Sequence, residues 1–273
     1  SEVMAILCLA SDIPDLKARL GRIVVGYTSD GVAVTAGQLG AVGAMAALLS
    51  QAIKPNLVQT TEGAPAFVHG GPFANIAHGT NSITATRAAL SYADIVVTEA
   101  GFAFELGAEK FFDINCRYGG FAPACTVLVT TIRALKMHGG KPLAEVSKPD
   151  VEAMTRGFSN MEKHIESIRK FGQACVVAIN GFPTDTAEEV AALQQHCAGL
   201  GVQAVPAEPF SKGGSGCVEL AKVVRDLVAR TEPGFKPLYE WSDTIEHKIA
   251  TVAREMYGAQ AVDYTARAKR DLE

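Results

Sequence analysis

The 273-residue chain has no apolar run of the about 18 residues that a membrane-spanning helix needs; its longest stretches, such as Ala41–Leu49, are interrupted or too short. It has no CxxC pair. Cys8, Cys116, Cys125, Cys175, Cys197 and Cys217 are scattered, a spacing that fits reduced thiols better than disulfides or a metal cluster. It has no basic stripe, and a net charge of −4 lacks the electrostatic footprint of a nucleic-acid binder. His69, His78, His138, His164, His196 and His247 show no HxxxH or HxH spacing, so no metal set is expected. A Gly-x-Ser-x-Gly elbow is missing, which removes support for that hydrolase class. So is GxxxxGK[ST]: the run Gly107–Lys110 reads Gly-Ala-Glu-Lys and is no phosphate loop. The opening SEVMAILCLASD carries neither a basic leader nor a usable cleavage pattern, which argues against a signal peptide.

What is present is an alternation. Hydrophobic residues make up 48% and charged residues 20%, a globular balance. Nearly continuous apolar runs at 23–27, 94–98, 126–131, 175–180 and 203–207 read as strands buried on both faces of a parallel sheet. Helical patterns lie at 36–52, 81–93, 159–171, 185–200, 217–230 and 244–257. Thr35 is the expected cap of the first of these, and Asp185 of the fourth. Strands alternating with helices predict an α/β fold. The polar stretch 138–150 reads as a long surface connection, a place to separate two lobes or carry an insertion.

In open α/β sheets, ligands bind beyond the carboxyl ends of the strands. Four stretches there mix glycine, aromatic and polar residues. HGGPFANIAHGTNS, 69–82, sets a Gly70-Gly71-Pro72 turn and presents Asn75, His78 and Asn81 beyond it. The helix start near Thr80–Ser82 is a generic anion site, although a turn whose side chains satisfy backbone groups explains the stretch equally. TEAGFAFELGAEKFFD, 98–113, offers Glu99, Gly101 and Phe102, the last able to stack on a flat ring. AINGFPTDTAEE, 178–189, projects Phe182-Pro183, and AEPFSKGGSG, 207–216, projects Phe210 at a second strand tip. Two aromatics on neighbouring loops could clamp a planar heterocycle; equally, the glycines could merely shape turns. These residues alone indicate an α/β nucleotide-binding enzyme of unspecified kind.

In order along the chain, FVHGGPFANIAHGTNS, TEAGFAFELGAEKFFDI, RALKMHGG, AINGFPTDT and FSKGGSG resemble the formate–tetrahydrofolate ligase (10-formyltetrahydrofolate synthetase) family. The opening SEVMAILCLASDIPDLKARLGRIVVGYT and the late GFKPLYEW fit the same pattern, so the resemblance runs end to end. It implies a P-loop-type, mostly parallel sheet flanked by helices (only in part, residues 1–163), followed by a smaller α/β folate-binding domain with the start of a C-terminal region, 164–273. It implies formate, ATP with Mg2+ and tetrahydrofolate as substrates, with no tightly bound prosthetic group. A cytoplasmic homo-oligomer is implied for the full-length protein, with no nucleic-acid or membrane partner. Ala74, Gly101 and Phe102 then fall near the adenine, and Phe182 and Phe210 in the folate clamp. At 210 the family usually has Trp, and a Phe–Phe pair offers a smaller stacking face.

The family protein is longer than this chain, and its Walker loop and formate-holding basic residue lie in a segment these residues do not contain. The catalytic groups are therefore expected outside the chain, which alone is expected to be inactive. The alternative is a truncated, non-catalytic homologue that retains folate or partner binding.

Overall fold

A computed structural model describes residues 2–74 and 77–272. It divides into two compact units between Phe121 and Ala122. The architecture is α/β, with a three-stranded parallel sheet flanked by helices. No helix among the described residues is long and apolar enough to cross a membrane.

The first unit opens with α1 (Glu2–Leu9) and α2 (Ile13–Gly21). Asp12 accepts from Asp15 N at 2.8 Å, satisfying a donor that the start of α2 would otherwise leave free, and Pro14 sits where its missing N–H costs nothing. Leu7, Ala10, Leu16 and Leu20 pack with Ala46 of α3 (Val42–Leu48) into a small core. Between α2 and α3 lies an antiparallel hairpin, β1 (Val24–Tyr27) and β2 (Ala33–Thr35), with Tyr27 opposite Ala33. A second antiparallel hairpin, β3 (Asn56–Gln59) and β4 (Pro65–Val68), turns through Gly63 at φ +85°. Next come α4 (Ile83–Tyr92), with Tyr92 stacked on Phe67 of β4, and a helical stretch of wide turns, Phe104–Ala108 and Phe111–Cys116, ending in α5 (Arg117–Gly119).

Three expectations fail in this unit. The run 23–27 does form a strand, but an antiparallel one with Val24, Val25 and Tyr27 exposed, because its partner is the neighbouring hairpin arm. Residues 94–98 join no ladder, and Ile95 and Val97 face solvent. The helix expected from 36 begins only at Val42. Gly40 at φ +70° breaks it, and Thr35 closes a turn with Gln38, whose Oε1 accepts from Thr35 N at 2.7 Å.

In the second unit the apolar runs behave as expected. β5 (Thr126–Thr130), β6 (Cys175–Asn180) and β7 (Gln203–Ala207) pair in parallel in that order, Thr126 with Cys175 and Asn180 with Ala207. Between β5 and β6 run α6 (Ile132–His138), α7 (Val151–Arg156) and α8 (Phe158–Lys170), and between β6 and β7 runs α9 (Ala187–Gly199). Ile132, Leu135, Met154, Met161, Ile165, Val177, Ile179, Leu193 and Cys197 form the main core. Gly157 lets α6 and α7 approach closely, since a Cβ there would stand 1.9 Å from the Leu135 carbonyl oxygen. The chain ends through α10 (Pro209–Lys212), α11 (Val218–Val228), α12 (Ile245–Tyr257) and α13 (Ala266–Leu272).

Polar contacts hold this layer in register. Thr131, Asp150 and Thr244 cap α6, α7 and α12 through their side chains. The cap of α9 is Thr186, not Asp185: Thr186 and Glu189 form a reciprocal capping box, and Asp185 instead accepts from Phe182 N at 2.8 Å. Glu189 is fully buried and also accepts from Lys136 Nζ at 2.8 Å and Asp150 N at 2.9 Å. Burial works against its ionisation, but these donors and Thr186 outweigh it and hold the carboxyl below its ordinary range. Lys136 Nζ donates further to the Lys148 carbonyl, so the 138–150 connection is tied down within the second unit.

Candidate functional site

The glycine-rich stretches of the first unit meet through their backbones. Gly101 N donates to Gly79 O at 3.2 Å, and Ala74 is buried beside both. A Cβ on Gly79 would stand 2.3 Å from the Ala74 Cβ, and one on Gly107 only 1.6 Å from Gly101 O. No larger residue fits at these points, so Ala74, Gly79, Gly101 and Gly107 form one close-packed junction. Phe102, next to it, adopts φ +65° and is 73% exposed. A bulky residue in that region costs roughly 1–3 kcal/mol, and such outliers gather at ligand-binding sites.

Lys110 secures the junction from below, its Nζ donating to the carbonyls of Ala74 and Ala77. His78, Glu109 and Asp113 are linked electrostatically to Lys110 or to one another. His78 is buried, its Nε2 has no hydrogen-bond partner, and burial together with the Lys110 charge pushes its pKa down to about 4. Glu109 is buried too; burial, followed by the charge and hydrogen bond of Asp113, pushes it up to about 8. Both are therefore neutral at pH 7.

Several polar residues of 69–82 do structural work. His69 shares hydrogen bonds of 2.6 Å with Ser82 Oγ and with the Ala52 carbonyl, and Asn81 Nδ2 donates to Phe67 O at 2.9 Å. At the start of α4, Ser82 Oγ accepts from Ala85 N and Ser82 N donates to Asn81 Oδ1, so two of the donors there serve the turn and cap. Asn75 lies outside the described residues. Glu99 is exposed.

The second unit places its two aromatics at the carboxyl ends of adjacent strands. Asn180 of β6 pairs with Ala207 of β7, and Gly181 N donates to Ala207 O at 2.9 Å. Phe182 follows that rung by two residues on one strand and Phe210 by three on the other. The Phe182 loop is closed twice, by Asp185 on Phe182 N and by Asp185 N on Phe182 O at 2.9 Å. The Phe210 loop is closed by Glu208 N on Gly216 O at 3.0 Å; a Cβ on Gly216 would sit 2.5 Å from Glu208 O. Phe182 stays partly exposed and Phe210 fully so, at 101%. Full burial of such a side chain is worth about 1.5–3 kcal/mol, so a flat ligand covering Phe210 would recover that contribution.

Sequence reading missed two residues that act here. Lys110 was seen only as part of a failed phosphate loop. Arg133, in the first turn of α6, stacks its guanidinium 4.0 Å over the Phe182 ring. Its one sequence signal is membership of the RALKMHGG segment.

Among the described residues no group of three or more His, Cys, Asp or Glu is placed to hold a metal ion. All six cysteines are free thiols, and burial pushes Cys8 and Cys197 up to about 11 and Cys116 and Cys175 to about 12. The family model described as formate–tetrahydrofolate ligase matches residues 1–273 of the chain.

Proposed function

The chain belongs to the formate–tetrahydrofolate ligase family, and on that premise we propose that its two units supply the adenine end and the pterin end of the ligase's substrate binding. The family reaction joins formate to tetrahydrofolate in one-carbon metabolism at the expense of ATP. Formate takes the γ-phosphoryl group to give formyl phosphate, and N10 of tetrahydrofolate then attacks the formyl carbon and displaces phosphate. Such phosphoryl transfer depends on positioning and charge neutralisation more than on protein acid–base groups.

In this reading Ala74 and Gly101 are small so that the adenine can approach, and Phe102 is the exposed ring beside it. Phe182 and Phe210 sandwich the pterin. The observation that carries the proposal is the pair of exposed aromatics beyond one rung of neighbouring parallel strands. Stacking of this kind contributes roughly 0.5–1.5 kcal/mol per pair beyond area burial. The phosphate loop, the formate-holding basic residue and Mg2+ binding are assigned to residues outside these 273. Family resemblance further supports a cytoplasmic homo-oligomer.

A second reading, a non-catalytic homologue that keeps folate or partner binding, accounts equally for the lack of GxxxxGK[ST] in the 273 residues. Both readings predict no formylation by this chain alone, and measurable turnover by the purified chain would overturn that shared expectation. An upstream in-frame GxxxxGK[ST] in the encoding gene decides between them.

Calorimetric titration with tetrahydrofolate tests the clamp. Phe182→Ala and Phe210→Ala should each weaken binding by roughly tenfold, the equivalent of about 1.4 kcal/mol. Affinities equal to that of the unsubstituted chain would remove the clamp from both readings.

A further inference from the structure

We propose that Arg133 is a positioning residue of the folate site, fixing which face of the Phe182 ring meets the ligand. The inference rests on the reading of Phe182 as a pterin platform. Arg133 and Phe182 come from different corners of the sheet: Arg133 from the first turn of α6, just after β5, and Phe182 from the loop between β6 and α9. The guanidinium lies 4.0 Å from the ring centroid, and its Nη2 donates to Thr184 Oγ1 at 3.1 Å. One side chain therefore grips the 182–185 loop at two points, once on the Phe182 ring and once on the Thr184 hydroxyl.

The base of this grip is rigid. Ile132 is fully buried in the main core, and Thr131 caps α6 by accepting from Ala134 N at 3.0 Å, so the first turn that carries Arg133 cannot drift. On the far side, Asp185 closes the loop from both directions, as described above. Phe182 is thereby presented with the guanidinium over its ring while the residue remains 36% exposed. An exposed phenylalanine on a free loop would sample several rotamers and lose that freedom on binding; here part of the ordering is already done before the ligand arrives.

The residue type fits this task. A planar guanidinium stacks on an aromatic face while forking hydrogen bonds sideways, which an ammonium cannot do. No carboxylate among the described residues forms an ion pair with Arg133, and its buried Nε has no acceptor. Its charge is thus directed at the ring and at Thr184, and a cation over an aromatic ring is the more strongly held the drier its surroundings.

The test is a thermodynamic cycle on the 273-residue chain with tetrahydrofolate as the probe. Arg133→Ala should weaken binding about fivefold in the unsubstituted chain. In the Phe182→Ala background the same change should cost less than about twofold, because the ring through which Arg133 acts is gone. Arg133→Lys should recover only part of the loss, and the thermal midpoint should stay near that of the unsubstituted chain. Where Arg133→Ala fails to fold, Arg133→Gln replaces it in the cycle.

Two outcomes overturn the inference while leaving the clamp in place: Arg133→Ala binding as tightly as wild type while Phe182→Ala is impaired, or the full loss persisting in the Phe182→Ala background. Complete rescue by Arg133→Lys likewise removes the stacking argument. Wild-type affinity in Phe182→Ala itself overturns the folate reading and this inference with it.

Discussion

The two units spend similar apolar sequence in different ways. In the second, Val176, Val177, Ala178 and Ile179 of the central strand are buried on both faces, between parallel neighbours and the helices that connect them. In the first, Val24, Val25 and Tyr27 of β1, Leu57 and Val58 of β3 and Val68 of β4 stand exposed on two-stranded hairpins. A lone hairpin has no second layer to cover it, and an isolated two-stranded ribbon has little stability of its own. The comparison shows that hydrophobicity makes a strand possible, whereas its burial depends on what pairs and packs with it. It also separates the two groups of candidate residues: the aromatics at 182 and 210 stand on a packed sheet, while Ala74, Gly101 and Phe102 are placed by loop backbones wedged together.

The largest expected effect falls where the second unit concentrates its polar order. Glu189 joins Lys136, Asp150 N and the Thr186 cap, and both partners of the ion pair are fully buried. Glu189→Ala leaves a buried ammonium without its carboxylate and should cost about 3–5 kcal/mol, read as a lower denaturant midpoint. The double substitution Lys136→Met with Glu189→Leu should restore much of it, because a well-packed apolar pair avoids the desolvation cost of the ions. A loss under about 1 kcal/mol for Glu189→Ala would mean the pair is wetter than its geometry indicates.

A smaller effect distinguishes the units by pH. Glu109 in the first unit is raised from 4.5 to about 8, so the folded state holds a proton that the unfolded chain releases. Its contribution is complete below pH 4.5 and is lost as pH rises through about 8. In the second unit Glu255 is lowered to about 2 by hydrogen bonds from Lys170 and then Arg254, and Glu189 is lowered as well. Their contribution is present above pH 4.5 and fades on acidification. Glu109→Gln should therefore flatten the decline in thermal midpoint as pH rises toward about 8 and leave the acid limb unchanged. An alkaline decline of the same slope in Glu109→Gln would assign it to another group. His78 acts in the opposite direction within the first unit, since keeping it neutral down to about 4 costs stability as pH falls below 6.5.

Much of the second unit was legible in the sequence. The runs at 126–131, 175–180 and 203–207 became β5, β6 and β7 to within a residue, because continuous apolar residues in a parallel sheet and its connecting helices are mutually consistent. The same pattern failed at 23–27 and 94–98, where no parallel partner exists among the described residues. Capping signals were readable in kind but slipped by one residue at Asp185, since Asp185 and Thr186 can both cap and each has a Glu three residues on, Glu188 and Glu189; only the fold shows that Thr186 and Glu189 form the box. Phe182 and Phe210 were visible as aromatics just past strand ends. Arg133 and Lys110 were not, because their roles come from contacts with Phe182 and with the Ala74 and Ala77 carbonyls, far away in sequence. Within 69–82, glycines and histidines looked alike as signals. Only the fold separates His69, which braces Ser82 and Ala52, from Gly79, which makes room for Ala74.

The smallest expected effect is the sharpest check on the contrast between the units. Leu57 in β3 pairs with Phe67 and is 61% exposed, so replacing it with Thr removes little buried surface and introduces a β-branched residue suited to the strand. Leu57→Thr should change the unfolding free energy by less than about 0.5 kcal/mol, as surface substitutions do. Val177, fully buried in β6, shares its apolar character but not its setting, and Val177→Thr would place a hydroxyl among Ile132, Leu193 and Ile179. That substitution should cost at least about 1–3 kcal/mol, the desolvation of a buried polar group. If Leu57→Thr proved as costly as Val177→Thr in a denaturant titration, the hairpins of the first unit would have to be covered in solution. The contrast between an exposed and a buried use of the same residue types would then collapse.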